Sequence, residues 1–181
     1  MESEQVMIEH LYDEYRNDVY HFSLYFTNNK QEAEDITQET FIKVMKNLHQ
    51  LKDVNKRKTW ILSIAKNTAI DLKRKQKLIN FLPQLLKGNG LKTHDDAQDE
   101  NRLINTENWR ELQKAILTLK PHYRSIVILR ALKEISVKET AEILGCTEGK
   151  VRVDLHRAIN QLKKELAIID GGDYREESKT F

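Results

Sequence analysis

The chain is short of everything that interrupts a helix. It contains two prolines, Pro83 and Pro121, and six glycines among 181 residues. In a helix interior proline costs ~3 kcal/mol and glycine ~1 kcal/mol relative to alanine. Their scarcity, with few Val and Ile alternations, predicts an all-α protein. Cys146 is the single cysteine, which excludes an internal disulfide and fits a reducing compartment. It falls in a helix-turn-helix turn and is expected in the core. No apolar run approaches the ~20 residues a bilayer span requires. The opening residues MESEQVMIEH are acidic and lack a signal-peptide core. A cytoplasmic protein without direct membrane insertion is expected. The sequence carries no nucleophile–base pair, metal motif or phosphate loop, so neither enzyme activity nor a cofactor is expected.

What the chain has is charge, and it is sorted. The net charge is only +2. Yet residues 1–39 carry ten acidic side chains against two basic ones, and residues 40–77 carry eleven basic against two acidic. Such segregation points to two partners of opposite electrostatic preference.

Residues 136–166 hold the most specific pattern. Ser136 and Glu139 have capping-box spacing, and Ala141, Ile143 and Leu144 follow on a short helix. Gly145 permits a sharp exit, and Thr147 can N-cap a second helix. There Val151, Leu155, Ala158, Ile159, Leu162 and Leu166 recur at three- and four-residue steps and form an apolar stripe. Lys150, Val153, Arg157 and Asn160 point away from it. Two short-linked helices of this kind read as a DNA-binding helix-turn-helix; a plain αα-hairpin with a wet face is the bland alternative.

Upstream, residues 4–27 read as one helix with a core stripe of Ile8, Leu11, Tyr12, Tyr15, Val19, Phe22 and Phe26. Asn29 and Glu32 have the spacing of a second helix start. On that helix Ala33, Ile36, Phe41, Val44 and Leu48 face inward. Gln31, Asp35, Gln38, Ile42 and Lys46 face outward with Glu39 beside them. An acid-and-amide face with an exposed isoleucine suits protein docking, an ordinary solvated face being the alternative. A carboxylate metal site is weak here, because the acids belong to one helix without a histidine at ligand spacing. After a polar loop at 49–57, residues 58–77 predict a helix with Ile61, Ile64, Ala65, Thr68 and Leu72 buried. Lys66, Asn67, Ile70, Lys73, Arg74 and Lys77 lie on its other faces. With Trp60 at its start, as core or as a stacking platform, it suits nucleic-acid contact. Residues 107–133 predict two further helices split at Pro121.

The segments AEDITQETFIKV, KTWILSIAKNTAIDLKRK and LKPHYRSIVILRALKEISVKETAEILGCTEGKVRVDLHRAINQLKKEL resemble the second and fourth conserved regions of bacterial sigma factors. The short two-domain form resembles the extracytoplasmic-function group. The resemblance implies a region 2-like domain at 1–77 and a region 4-like domain at 107–169; composition reads 78–106, with Pro83, Gly88-Asn89-Gly90 and an acidic run, as a linker and the glycine-led, acidic 170–181 as a flexible tail. The resemblance implies core RNA polymerase as partner, through the β′ clamp coiled coil and the β flap. It further implies promoter DNA and an anti-sigma factor, commonly membrane-tethered in the family.

Residue by residue, the resemblance has Asp35, Gln38, Glu39 and Ile42 dock on the polymerase. Asp53, Val54, Asn55 and Lys56 would pocket a base flipped from the −10 element, near Trp60. Lys66, Asn67, Asp71, Lys73 and Arg74 would hold the opened strand and adjoining duplex. Thr147, Lys150, Arg152, Val153, Asp154 and Arg157 would meet the −35 element. Many family members carry a basic residue at the position of Asp154, so here a phosphate contact is lost or an acceptor for cytosine gained. Opening DNA loses ~1.4 kcal/mol of stacking per step, which captured bases and a basic channel can offset without catalysis. A 29-residue flexible linker averages ~30 Å against ~35 Å for one DNA turn. A free-standing helix-turn-helix regulator is the rival, and it leaves the charge sorting unexplained.

Overall fold

A computed structural model describes the backbone of residues 4–86 and 107–173, with side chains through 79 and from 107 to 168. The described residues are helical, without strands. The chain divides into two units between Gln98 and Asp99.

In the first unit α1 (Glu4–Thr27), α2 (Lys30–Asn47) and α3 (Arg57–Leu86) pack pairwise against one another. Leu11, Val19, Phe22 and Phe26 of α1 meet Ala33, Ile36, Phe41 and Val44 of α2 and Ile61, Leu62, Ala65 and Ala69 of α3 in the core. Phe22 and Phe26 stack with centroids 5.9 Å apart. Tyr12 departs from the expected stripe and is 42% exposed. Its ring meets Phe41 edge-on at 4.9 Å, and Arg16 lies over it. Several hydroxyls are buried and are satisfied one turn back along their own helices. Ser23 donates to the Val19 carbonyl, Thr37 to Ala33 and Thr40 to Ile36, at 2.6–2.8 Å.

The α1–α2 joint is a single turn. Asn28 has φ +52°, a left-handed conformation that asparagine tolerates. Asn29 then caps α2 by accepting from the Glu32 amide at 3.0 Å. Two 3-10 turns, Leu48–Gln50 and Val54–Lys56, connect α2 to α3. The helix expected to end at 77 runs on to Leu86. No glycine interrupts residues 78–86. The remainder of the expected linker, 87–106, lies outside the described residues.

The second unit comprises α4 (Glu107–Thr118), α5 (Pro121–Val127), a π turn (Ile128–Leu132), α6 (Val137–Leu144) and α7 (Glu148–Asp173). Pro121 opens α5 as expected, where its missing N–H costs nothing. Ala115, Ile116, Leu119, Val127, Ala158 and Leu162 form the core cluster. Arg124 is buried within it, and its Nη2 donates to the Leu117 carbonyl and, at 3.1 Å, to that of Leu119. It thereby caps the C-terminal end of α4, and burial lowers its pKa. The π turn closes with Glu134 at φ +53° and the Ile135 amide donating to the Leu129 carbonyl at 2.8 Å. α7 continues past the expected end at 169 to Asp173. Residues 174–181 of the expected tail lie outside the described residues.

Candidate nucleic-acid and protein interfaces

The helix-turn-helix forms as its local chemistry requires. Ser136 Oγ accepts from the Glu139 amide at 3.2 Å while the Ser136 amide donates to Glu139 Oε2 at 3.2 Å. At the other end of α6, Gly145 has φ +65°. The Cys146 amide donates to the Ala141 carbonyl at 3.0 Å and the Gly145 amide to that of Glu142 at 3.2 Å, the Schellman closure. Thr147 caps α7 by accepting from the Lys150 amide at 3.2 Å. Ala141 and Val151 are buried at the crossing, and Cys146 is half-buried rather than core.

α7 turns Lys150, Arg152, Val153 and Arg157 to solvent, with Val153 half exposed. Arg152 pairs with Glu148 at 2.9 Å, both exposed. Asp154 is different. Its side chain is 2% exposed and so does not present an acceptor to DNA, contrary to the sequence expectation. Oδ2 receives Lys150 Nζ at 2.7 Å and lies 3.0 Å from His122 Nε2 of α5; Oδ1 lies 3.6 Å from Arg157 Nη1. The Lys150 hydrogen bond lowers the Asp154 pKa against the opposing pull of burial, with His122 adding to it. The same bond raises the Lys150 pKa. The apolar stripe is also rotated from the one expected: Asp154 is buried beside Val151 and Ala158, while Ile159, expected to be buried, is 37% exposed.

In the first unit Asp35, Gln38, Glu39 and Ile42 are all exposed on α2. Met45, 55% exposed, adds to this face and was missed, although its three-residue step from Ile42 could have found it. Asp35 accepts from Gln31 at 3.4 Å, and Glu39 lies 3.7 Å from Lys43. A cleft beside them is lined also by Thr68, Asp71, Leu72 and Lys75 of α3.

In the connecting loop Asp53 accepts from the Asn55 amide at 2.9 Å and shapes the turn that carries Val54, Asn55 and Lys56, all exposed. Trp60 is half-buried. Asn67, Asp71 and Arg74 are exposed on α3, with Asp71 and Arg74 3.6 Å apart, and Lys66 is half-buried. Lys73, expected on the strand-holding face, is instead bonded to Glu32 Oε2 of α2 at 2.7 Å. Near the start of α3, burial first and a hydrogen bond to Glu14 second push the Tyr15 phenol up to about 12. Among the described residues no group of three His, Cys, Asp or Glu side chains is placed to hold a metal, and no helix is long and apolar enough to cross a membrane.

Residues 11–79 match the family model of Sigma-70 region 2, and residues 109–162 that of Sigma-70, region 4. The chain is 34% identical over 164 residues to the ECF RNA polymerase sigma factor SigX of Bacillus subtilis, covering 88% of this chain and 83% of that protein. It belongs to the ECF RNA polymerase sigma factors. SigW of the same organism is 33% identical over 161 residues, covering 85% of this sigma factor and 86% of SigW. The fold is that of RpoE in complex with the anti-sigma factor NepR from Bartonella quintana. The TM-score is 0.67 at 20% identity, over 88% of this chain and 96% of that one. CnrH in complex with the cytosolic domain of CnrY has a TM-score of 0.63 at 19% identity, over 92% and 90% of the two chains.

This sigma factor is therefore an alternative transcription initiation factor that binds core RNA polymerase and directs it to promoter DNA. The region 2 match is what a free-standing helix-turn-helix regulator would lack.

Proposed function

We propose that the two units divide the work of promoter selection. The exposed α2 face of Asp35, Gln38, Glu39 and Ile42, extended by Met45, docks on the β′ clamp coiled coil of core polymerase. The turn at Asp53, Val54, Asn55 and Lys56, with Trp60 behind it, receives a flipped −10 base. Lys66, Asn67, Asp71 and Arg74 track the opened strand. α7 enters the major groove at the −35 element, where Lys150, Arg152 and Arg157 meet phosphates or guanine edges and Val153 meets a thymine methyl. Lys73 and Asp154 serve the frame and touch no DNA.

The observation that carries this reading is the exposed row Lys150, Arg152, Val153 and Arg157 on a helix seated by a capped glycine turn. Three cationic side chains and one valine on one exposed face can follow a groove, while the buried Val151 and Ala158 hold the helix in place. The sigma factor works by binding and needs no catalytic residue of its own. By likeness to RpoE, solved in complex with the anti-sigma factor NepR, it is held inactive by an anti-sigma factor in the cytoplasm.

Run-off transcription by core enzyme on a library randomised at both promoter boxes tests the reading. Selective initiation with a bipartite preference is expected. Initiation unchanged by adding the protein would overturn it.

A further inference from the structure

Among the described residues of α7 the carboxylate of Asp154 is the buried one, and it is held from both sides. Lys150 reaches it from one turn earlier on the same helix, at 2.7 Å. His122 reaches the same oxygen from α5 at 3.0 Å. Arg157 stands 3.6 Å from the other oxygen, one turn later.

An exposed Lys–carboxylate pair is ordinarily worth little, because two long side chains must be ordered to form it. Arg152 and Glu148 make such a pair, 62% and 46% exposed. For Lys150 the acceptor is already immobile: Asp154 is 2% exposed and tied to a second helix. Only one side chain loses freedom, so the ammonium is held at a defined point above the helix.

We propose that Asp154 is a specificity-determining positioning residue, which aims Lys150 at one step of the upstream promoter box through a carboxylate fixed by His122. The proposal rests on the reading of α7 as the recognition helix. A free lysine is a flexible point charge that reaches several phosphates and base edges, adding affinity without discrimination. A lysine tethered at its tip samples one of them. Asp154 also offsets one of the two flanking cations, which limits sequence-independent attraction to the duplex.

The test uses the full chain with core polymerase on a library randomised at the upstream box. The variants are Lys150→Ala, Asp154→Asn and their combination. Lys150→Ala is expected to flatten preference at one box position. Asp154→Asn keeps the volume but loses the charge-assisted bond. It should weaken discrimination at that same position by about fivefold, a moderate base contact's worth. The freed lysine should steepen the salt dependence of promoter binding by about one phosphate contact. The combined variant should match Lys150→Ala at that position.

Asp154→Asn that preserves the preference, or that lowers all promoters equally, overturns the proposal. If Asp154→Asn unfolds the second unit, His122→Ala replaces it. That variant removes no DNA-facing group and should relax the same position to a smaller extent; an unaltered profile overturns the proposal. If Lys150→Ala leaves every position unchanged while initiation still depends on the protein, the reading of Lys150 at the groove fails and the proposal falls with it.

Discussion

Glu32 and Lys73 lock the first turn of α2 to the middle of α3. Lys73 Nζ donates to Glu32 Oε2 at 2.7 Å, and Gln76 Nε2 donates to Oε1 at 2.8 Å. Both carboxylate oxygens are thus engaged by one helix while Glu32 also sits at the electropositive start of another. The pair is mostly buried, with side chains 25% and 21% exposed, so solvent screens it less than a surface pair. Glu32→Ala is expected to destabilise the first unit by about 1–2 kcal/mol, since two hydrogen bonds to a charged group are lost. It should also release Lys73 and strengthen binding to single-stranded DNA at low salt. Urea denaturation and fluorescence anisotropy check the two effects. Unchanged stability would remove Lys73 from the frame and return it to the DNA-facing set.

Asp35→Arg reverses a charge on the exposed α2 face without touching the core. It is expected to weaken binding to core polymerase tenfold or more, about 1.4 kcal/mol or above. Binding of promoter DNA to the isolated protein should not fall. Equal polymerase affinity for variant and parent would refute the docking role.

Gly145→Ala isolates backbone strain. A Cβ added there meets nothing within 4 Å, and φ is +65°. The whole cost is the left-handed conformation, about 1–2 kcal/mol for a residue with a side chain. Ser136→Ala removes the opposite cap of α6 at a cost of about 1 kcal/mol. Both should appear as lower thermal midpoints of the second unit. A neutral Gly145→Ala would mean the turn relaxes out of the left-handed region.

The Asp154 cluster should give the second unit an acid-sensitive stability. Asp154 has a depressed pKa in the fold, caused first by the Lys150 bond. Its contribution is therefore complete above the ordinary carboxylate value near 4 and is lost as pH falls through the lower folded value. Lys150 has a raised pKa, so its share is present below about 10 and is lost as pH rises through the folded value. Thermal midpoints measured across this range should show a plateau with losses at both ends. In Asp154→Asn the acid-side loss should shrink. An identical acid limb in parent and variant would show that other carboxylates govern it.

Much of this was legible in the residues. The absence of breakers from 4 to 27 implied α1, and the capping pairs Asn29 with Glu32 and Ser136 with Glu139 marked helix starts that the structure contains. Gly145 marked the turn. Periodicity identified Phe22, Phe26, Ala33, Ile36, Val151 and Ala158 as core. These features are local: each depends on residues within one or two turns, and backbone geometry repeats the same spacing wherever it occurs.

The chain alone thus determined where most helices begin, their caps, the glycine turn and the family. What tertiary packing decided was which charged groups remain available to a partner. Lys73 and Asp154 both looked like surface residues because helical spacing describes a face but says nothing about the helix that covers it. Glu32 lies 41 positions from Lys73, and His122 lies 32 positions from Asp154. No local pattern reports an ion pair or hydrogen bond closed over that distance; it exists only once α2 meets α3 and α5 meets α7.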